Sequence, residues 1–148
     1  MDERELLIER LREAARRVFD GTAVFLAYAH GSRIHGRPRP HSDLDVAYYA
    51  GGYPHAQALP LKEELSLSVA LSDAVGMEVD LRPFAAAPLA MRGRLLEQGV
   101  RLYCCDEVSR VNLEGDLMTE WLEWKPIYHR LCEAFLERVS QRGLSHGR

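Results

Sequence analysis

A chain of 148 residues with a net charge of −3 and 47% apolar residues is long enough for one domain, or one domain with an appended helix, around a core of ordinary size. Its charge balance excludes a general electrostatic attraction to nucleic acid or anionic membrane. No apolar run approaches the roughly 20 residues of a membrane-spanning helix, and the charged start Met1-Asp2-Glu3-Arg4-Glu5 lacks the basic-then-apolar order of a secretory signal.

Residues 3–19 carry Leu7, Leu11, Ala14, Ala15 and Val18 at helical spacing, ended by Asp20-Gly21, which predicts an amphipathic helix. The short apolar run 23–29, with Val, Phe and Tyr, predicts a buried strand. A polar loop follows from Gly31 to Ser42, kept out of helix and sheet by Pro38 and Pro40. Residues 43–49 alternate with a period of two and predict a second strand. Ala50-Gly51-Gly52 breaks it. A helix over 61–75 opens near Pro60 and stops at Gly76. A third strand over 77–82, a helix over 88–98 and a short strand over 100–104 come next. The remainder is mostly helical. Leu117, Trp121, Trp124, Tyr128, Leu131 and Phe135 form one apolar face. Pro126 lies inside that pattern and is expected to kink or divide the helix. The polar end from Gln141 reads as a frayed tail. Cys104 and Cys105 are adjacent and Cys132 stands alone, which points to reduced thiols and a cytoplasmic location. The element order is that of an α+β (α/β-like) chain: a small mixed β-sheet flanked by helices, with a C-terminal amphipathic helical segment.

The chemistry is concentrated in 30–45, His-Gly-Ser-Arg-Ile-His-Gly-Arg-Pro-Arg-Pro-His-Ser-Asp-Leu-Asp. Gly31-Ser32 follows an apolar strand, and a small-residue turn there lets backbone N–H groups approach phosphates. Asp43 and Asp45 sit one residue apart on a strand, so they share a face about 6–7 Å apart along the chain. Carboxylates so spaced repel unless a cation lies between them, and they can clamp two metals roughly 3.5–4 Å apart. Asp80 supplies a third carboxylate from Glu78-Val79-Asp80-Leu81. This is the set that metal-assisted chemistry on a nucleoside triphosphate needs, with oxygen ligands suited to Mg²⁺. A lone Asp-x-Asp is usually a solvated turn; the weight here comes from the three features together.

Other candidates have plainer readings. Arg33, beside the Gly-Ser turn, and Arg37 and Arg39 further on could contact triphosphate or an acidic partner, or be solvated loop residues. His30, His35 and His41 lack the paired spacing of a transition-metal site. Ser68 and Ser72 read as helix-surface residues, and Tyr48 and Tyr49 as strand packing.

Gly31-Ser32, ten intervening residues, then Asp43-Leu44-Asp45 resembles the signature of the polymerase-beta-like nucleotidyltransferase superfamily. Gly31-Ser32-Arg33-Ile34-His35-Gly36 followed by Ser42-Asp43-Leu44-Asp45 resembles in particular its minimal nucleotidyltransferase (MNT) branch, which includes antitoxins paired with HEPN-domain toxins. The resemblance implies a nucleotidyltransferase fold over 1–105, a C-terminal helical extension over 106–140 that packs on it or docks a partner, and a flexible tail over 141–148. It implies that Gly31, Ser32 and Arg33 bind the nucleotide, that Asp43 and Asp45 ligate two Mg²⁺ ions, and that Asp80 completes the metal site, with a possible role as general base. All three would be catalytic. The implied reaction is in-line attack on the α-phosphorus of ATP, transfer of AMP and release of pyrophosphate. The implied acceptor is a tyrosine of a cognate HEPN toxin, in a possible oligomer with that partner, with no membrane and no direct nucleic-acid binding. Two features depart from the pattern: His30 stands where an aromatic or apolar residue is common, and Arg37-Pro38-Arg39-Pro40-His41 is unusually basic and stiff. Two alternatives stand beside this one. The chain could neutralise a toxin by contact alone, or transfer a nucleotide to a small molecule such as an aminoglycoside.

Overall fold

The structure is a computed structural model and describes residues 2–31, 34 and 44–146, with side chains as far as residue 142. Eight elements follow in order: α1 (Glu3–Phe19), β1 (Val24–His30), β2 (Leu44–Ala50), α2 (Leu61–Val75), β3 (Val79–Pro83), α3 (Leu89–Gln98), β4 (Val100–Cys104) and α4 (Glu107–His146). The strands form one mixed sheet in the order β3-β2-β1-β4. β1 runs antiparallel to both β2 and β4, and β2 runs parallel to β3. This is the α+β arrangement, a small mixed sheet flanked by helices, that the sequence pattern predicts.

Helix α1 begins where the Asp2 carboxylate accepts a hydrogen bond from the Glu5 N–H at 2.8 Å, satisfying one of the otherwise unpaired first-turn donors. It lays Ile8, Leu11, Ala14, Ala15 and Phe19 on the sheet. Helix α2 follows Pro60 and ends at Gly76, whose φ of 74° is the left-handed cap that glycine takes without strain. α1 and α2 cover one face, burying Leu44, Val46, Tyr48, Val79 and Leu81. α3 and α4 cover the other, burying Phe25, Leu26, Tyr28, Ala47, Tyr49 and Phe84. The β2 alternation is therefore literal: even positions face one core and Ala47 and Tyr49 the other. Trp121 is 1% exposed, and burying a side chain of that size contributes on the order of 3 kcal/mol. It fits because Gly93 on α3 has no Cβ; one there would lie well inside contact distance of the indole ring.

Two expectations change. Of the kink or division expected at Pro126, division does not occur, since α4 is continuous from Glu107 to His146. The carbonyl that Pro126 leaves unpaired is that of Leu122, a residue 58% exposed, so water can satisfy it. Ser68 and Ser72 are not simple surface residues. Ser68 Oγ donates to the Val79 carbonyl at 2.6 Å, and Ser72 Oγ accepts from the Val79 N–H at 2.9 Å. Together they fix the first residue of β3 against α2. The helical trace also continues past Gln141 to His146. Among the described residues, no helix is long and apolar enough to cross a membrane.

Candidate active site

The site lies where β1 ends, β2 begins and β3 passes alongside. Asp45 on β2 is the register partner of His30 on β1 and of Asp80 on β3. Register partners on neighbouring strands share a face and sit about 4.8 Å apart, so His30, Asp45 and Asp80 form one row across three strands. The row lies on the face that carries Ala47 and Tyr49, beyond the part that α3 and α4 cover. Asp45 is half-buried and the Asp80 side chain is 38% exposed. Two carboxylates in this relation repel each other strongly unless a cation intervenes.

A cation pairs with one of them. Arg82, two residues on along β3 and on the same face, donates from Nε to Asp80 Oδ2 at 2.8 Å. The hydrogen bond and charge of Asp80, with a further contribution from Asp45, raise the Arg82 pKa. The guanidinium thus partly neutralises Asp80. A pair of oxygen-donor carboxylates that attracts a cation is the donor chemistry of Mg²⁺. Asp45 and Asp80 therefore fit a Mg²⁺ site, although among the described residues no group of three or more metal-ligating side chains is present.

Gly31 closes the row at the end of β1. Its φ is +98°, and a Cβ on it would stand 2.6 Å from Asp45 Oδ2. Both facts demand glycine: the backbone is in the left-handed region, and the Asp45 carboxylate lies directly against it. The chain then turns, with the Ile34 N–H donating to the Gly31 carbonyl at 3.1 Å. Ile34 is 3% exposed and Arg4 of α1 donates to its carbonyl at 2.8 Å, so the turn is pinned to the core and to α1. Asp43, Ser32 and Arg33 lie outside the described residues, as do Arg37, Arg39, His35 and His41. Of the six site residues that the sequence singles out, the structure brings together Gly31, Asp45 and Asp80.

One neighbour, Arg82, was missed by the sequence reading, although a period of two puts it on the Asp80 face. His30 was weighed there only for a transition metal and as a departure before Gly31, because its pairing with Asp45 depends on strand register. Its ring packs edge-on against Phe84 with centroids 5.5 Å apart.

The model of the family described as Polymerase beta, Nucleotidyltransferase matches residues 13–108. That stretch spans β1, the loop, β2, β3 and the row of carboxylates. The chain belongs to this nucleotidyltransferase family. The domain also resembles solved toxin–antitoxin structures. One is a toxin–antitoxin crystal structure with AMP-PNP (TM-score 0.62, 17% identity, 87% of this chain and 98% of that one). Another is an MntA–HepT toxin–antitoxin complex (TM-score 0.51, 20% identity, 86% and 98% covered). A third holds a tri-AMPylated Shewanella oneidensis HEPN toxin with an MNT antitoxin (TM-score 0.51, 20% identity, 87% and 98% covered). At these identities the likeness is one of fold. A search of curated proteins found no match.

Proposed function

We propose that this nucleotidyltransferase is the antitoxin of a HEPN/MNT-type pair, transferring AMP from ATP to a protein hydroxyl, a tyrosine of a cognate HEPN toxin. The observation that carries the reading is the register of Asp45 with Asp80 directly beside Gly31. Similarity of fold to toxin–antitoxin complexes, one with AMP-PNP and one with an AMPylated toxin, supports the choice of substrate and acceptor.

In this reading Asp43, Asp45 and Asp80 hold two Mg²⁺ ions. Bound there, the ions supply positive charge to the α-phosphate and to the departing pyrophosphate. Gly31 and Ser32 seat the triphosphate by backbone N–H and hydroxyl, and Arg33 adds a guanidinium. The acceptor oxygen bonds to the α-phosphorus as the bond from that phosphorus to pyrophosphate breaks. Asp80 takes the acceptor proton after Arg82 has turned away. The protein's part is to align the two oxygens and to exclude water. Residues 1–105 form the catalytic unit, and the α4 extension docks the partner in the cytoplasm.

The test mixes the purified chain with Mg²⁺, α-labelled ATP and the protein encoded next to it, with Asp80→Asn as control. Label and a mass gain of one or more AMP units on the partner, lost in the control, are expected. Full transfer by Asp80→Asn would sink the catalytic assignment.

The exposed apolar residues of α4 favour a second reading, neutralisation by contact. Leu131, Phe135 and Leu136 are 57%, 62% and 64% exposed, a face that invites a partner. Neutralisation by the Asp43→Asn/Asp45→Asn double variant would select it.

A further inference from the structure

Arg4 stands in the first turn of α1, at the unfavourable end of the helix for a cation. Glu3 and Glu5 share that turn, and Arg16 and Arg17 lie in the last, which is the distribution that the helix dipole favours. Arg4 runs against it. Among the described residues it forms no ion pair. Its Nε donates instead to the Ile34 carbonyl at 2.8 Å, a partner 30 residues away along the chain. Resting on the nucleotide reading above, we infer that Arg4 is a positioning residue for the triphosphate. It fixes the chain where it leaves Gly31 for Asp43, and so sets how tightly the phosphates are held.

Gly31 and Ile34 bracket Ser32 and Arg33, the residues which that reading assigns to the triphosphate. One end of this segment is set by Asp45, whose carboxylate lies against Gly31. The other end is set at Ile34 by three separate contacts. The Ile34 N–H donates to the Gly31 carbonyl at 3.1 Å, the side chain is 3% exposed, and the carbonyl accepts from Arg4. A residue has only two soft backbone dihedrals. The N–H bond and the buried side chain hold the incoming side of Ile34. The direction of its carbonyl follows ψ, and among the described residues Arg4 alone holds that. The same dihedral directs the chain onward to Asp43. The usual local partner is missing. In a helical continuation the Ile34 carbonyl would pair with the N–H of residue 38, but residue 38 is proline, which has none. Arg4 also lies outside residues 13–108, which the family model matches, so this anchor comes from the part of the chain before the shared pattern begins.

Binding of ATP and of inorganic tripolyphosphate to the full chain in Mg²⁺ is measured by calorimetry, which separates affinity from the fraction of competent molecules. Arg4→Met keeps the apolar stem and removes the donor, whereas Arg4→Lys keeps a donor and the charge. Arg12→Met is the matched control. Arg12, about two turns on along α1, likewise donates from Nε to a carbonyl, that of Arg101 at 3.1 Å, on the sheet edge opposite β3. Thermal melts establish that each variant is folded. The expected result for Arg4→Met is a loss of about fivefold in affinity for ATP and tripolyphosphate alike, at unchanged stoichiometry. Arg4→Lys should recover most of that affinity, and Arg12→Met should bind as the wild type does. Unchanged affinity in Arg4→Met, an equal loss in Arg12→Met, or a loss confined to ATP would overturn the positioning role and leave the nucleotide reading intact. A fall in stoichiometry at unchanged affinity would likewise overturn it, because Arg4 would then act on folding alone. No binding of either ligand to the wild type would overturn both.

Discussion

Replacing Gly31 by alanine separates backbone strain from damage to the carboxylate row, because Gly21 supplies a matched control. Both glycines have positive φ, +98° and +80°. An L-residue in the left-handed region costs roughly 1–2 kcal/mol, so each variant should lose about that much stability. For a chain of this size the loss is a fall of roughly 2–8 °C in Tm. The new Cβ meets nothing within 4 Å at Gly21, but at Gly31 it lies 2.6 Å from Asp45 Oδ2. Restoring ordinary contact requires the carboxylate or the turn to move by roughly 0.5–1 Å. Mg²⁺ demands near-ideal octahedral geometry, and misplacement of about 1 Å at a reacting centre can cost on the order of 100-fold. Initial rates of α-label transfer should therefore fall about 100-fold for Gly31→Ala and less than about twofold for Gly21→Ala, with similar melting shifts. Equal activity of the two variants would refute the argument that Gly31 is required by the Asp45 carboxylate.

Three further substitutions probe the surroundings. Arg82→Gln removes the cation that competes for Asp80; Mn²⁺ followed by paramagnetic resonance should therefore bind modestly more tightly, and weaker binding would contradict the competition. Gly93→Ala forces a methyl group into the Trp121 ring and should cost about 1–3 kcal/mol in urea unfolding, with a cost near zero refuting the close α3–α4 contact. Burial pushes the Tyr48 and Tyr49 hydroxyls up to about 12 from the usual 10.0. Because the folded values are raised, their contribution to stability is complete below pH 10 and is lost as pH rises from 10 toward 12. Circular dichroism should show unfolding in that window, and Tyr49→Phe should make the loss shallower; an identical alkaline limb would exclude Tyr49 from it.

The sequence patterns that could be read were local ones. A period of two put Asp45 and Ala47 on one face of a strand, and helical periods located the first three helices, and the start of the fourth, within a residue or two. Gly31 and the carboxylates stood out because their chemistry is unusual at that spacing. The register of Asp45 with Asp80 was not legible, because a parallel pairing between strands 35 residues apart is decided by tertiary packing. The same limit hid the pairing of His30 with Asp45, and it hid Ser68 and Ser72, whose partner Val79 belongs to another element. Pro126 does not divide the helix, for a different reason. Local propensity counts against it, but its exposed position lets water satisfy the carbonyl that it cannot bond.

The long helix shows how sequence pattern and architecture diverge. At about 1.5 Å per residue, α4 is far longer than the strands it crosses. Leu113, Leu117 and Trp121 are buried, Tyr128 continues that stripe half-buried against Trp121 and beneath Arg94 of α3, and Trp124, Leu131 and Phe135 extend it with exposed side chains. On the opposite side, Val108, Val111, Met118 and Leu122 are 73%, 56%, 38% and 58% exposed, at helical spacing on both sides of Gly115. A helix that is apolar around most of its circumference is ordinarily buried, and a free overhang is at best marginally stable in water. On the proposed function, the row of carboxylates and this helix make separate demands on a partner: the row needs only a hydroxyl delivered to the α-phosphorus, whereas the helix needs an apolar surface laid along it. A partner that meets both is held by α4 while its acceptor reaches Asp80, so loss of the α4 surface should raise the partner concentration needed for transfer without altering ATP binding.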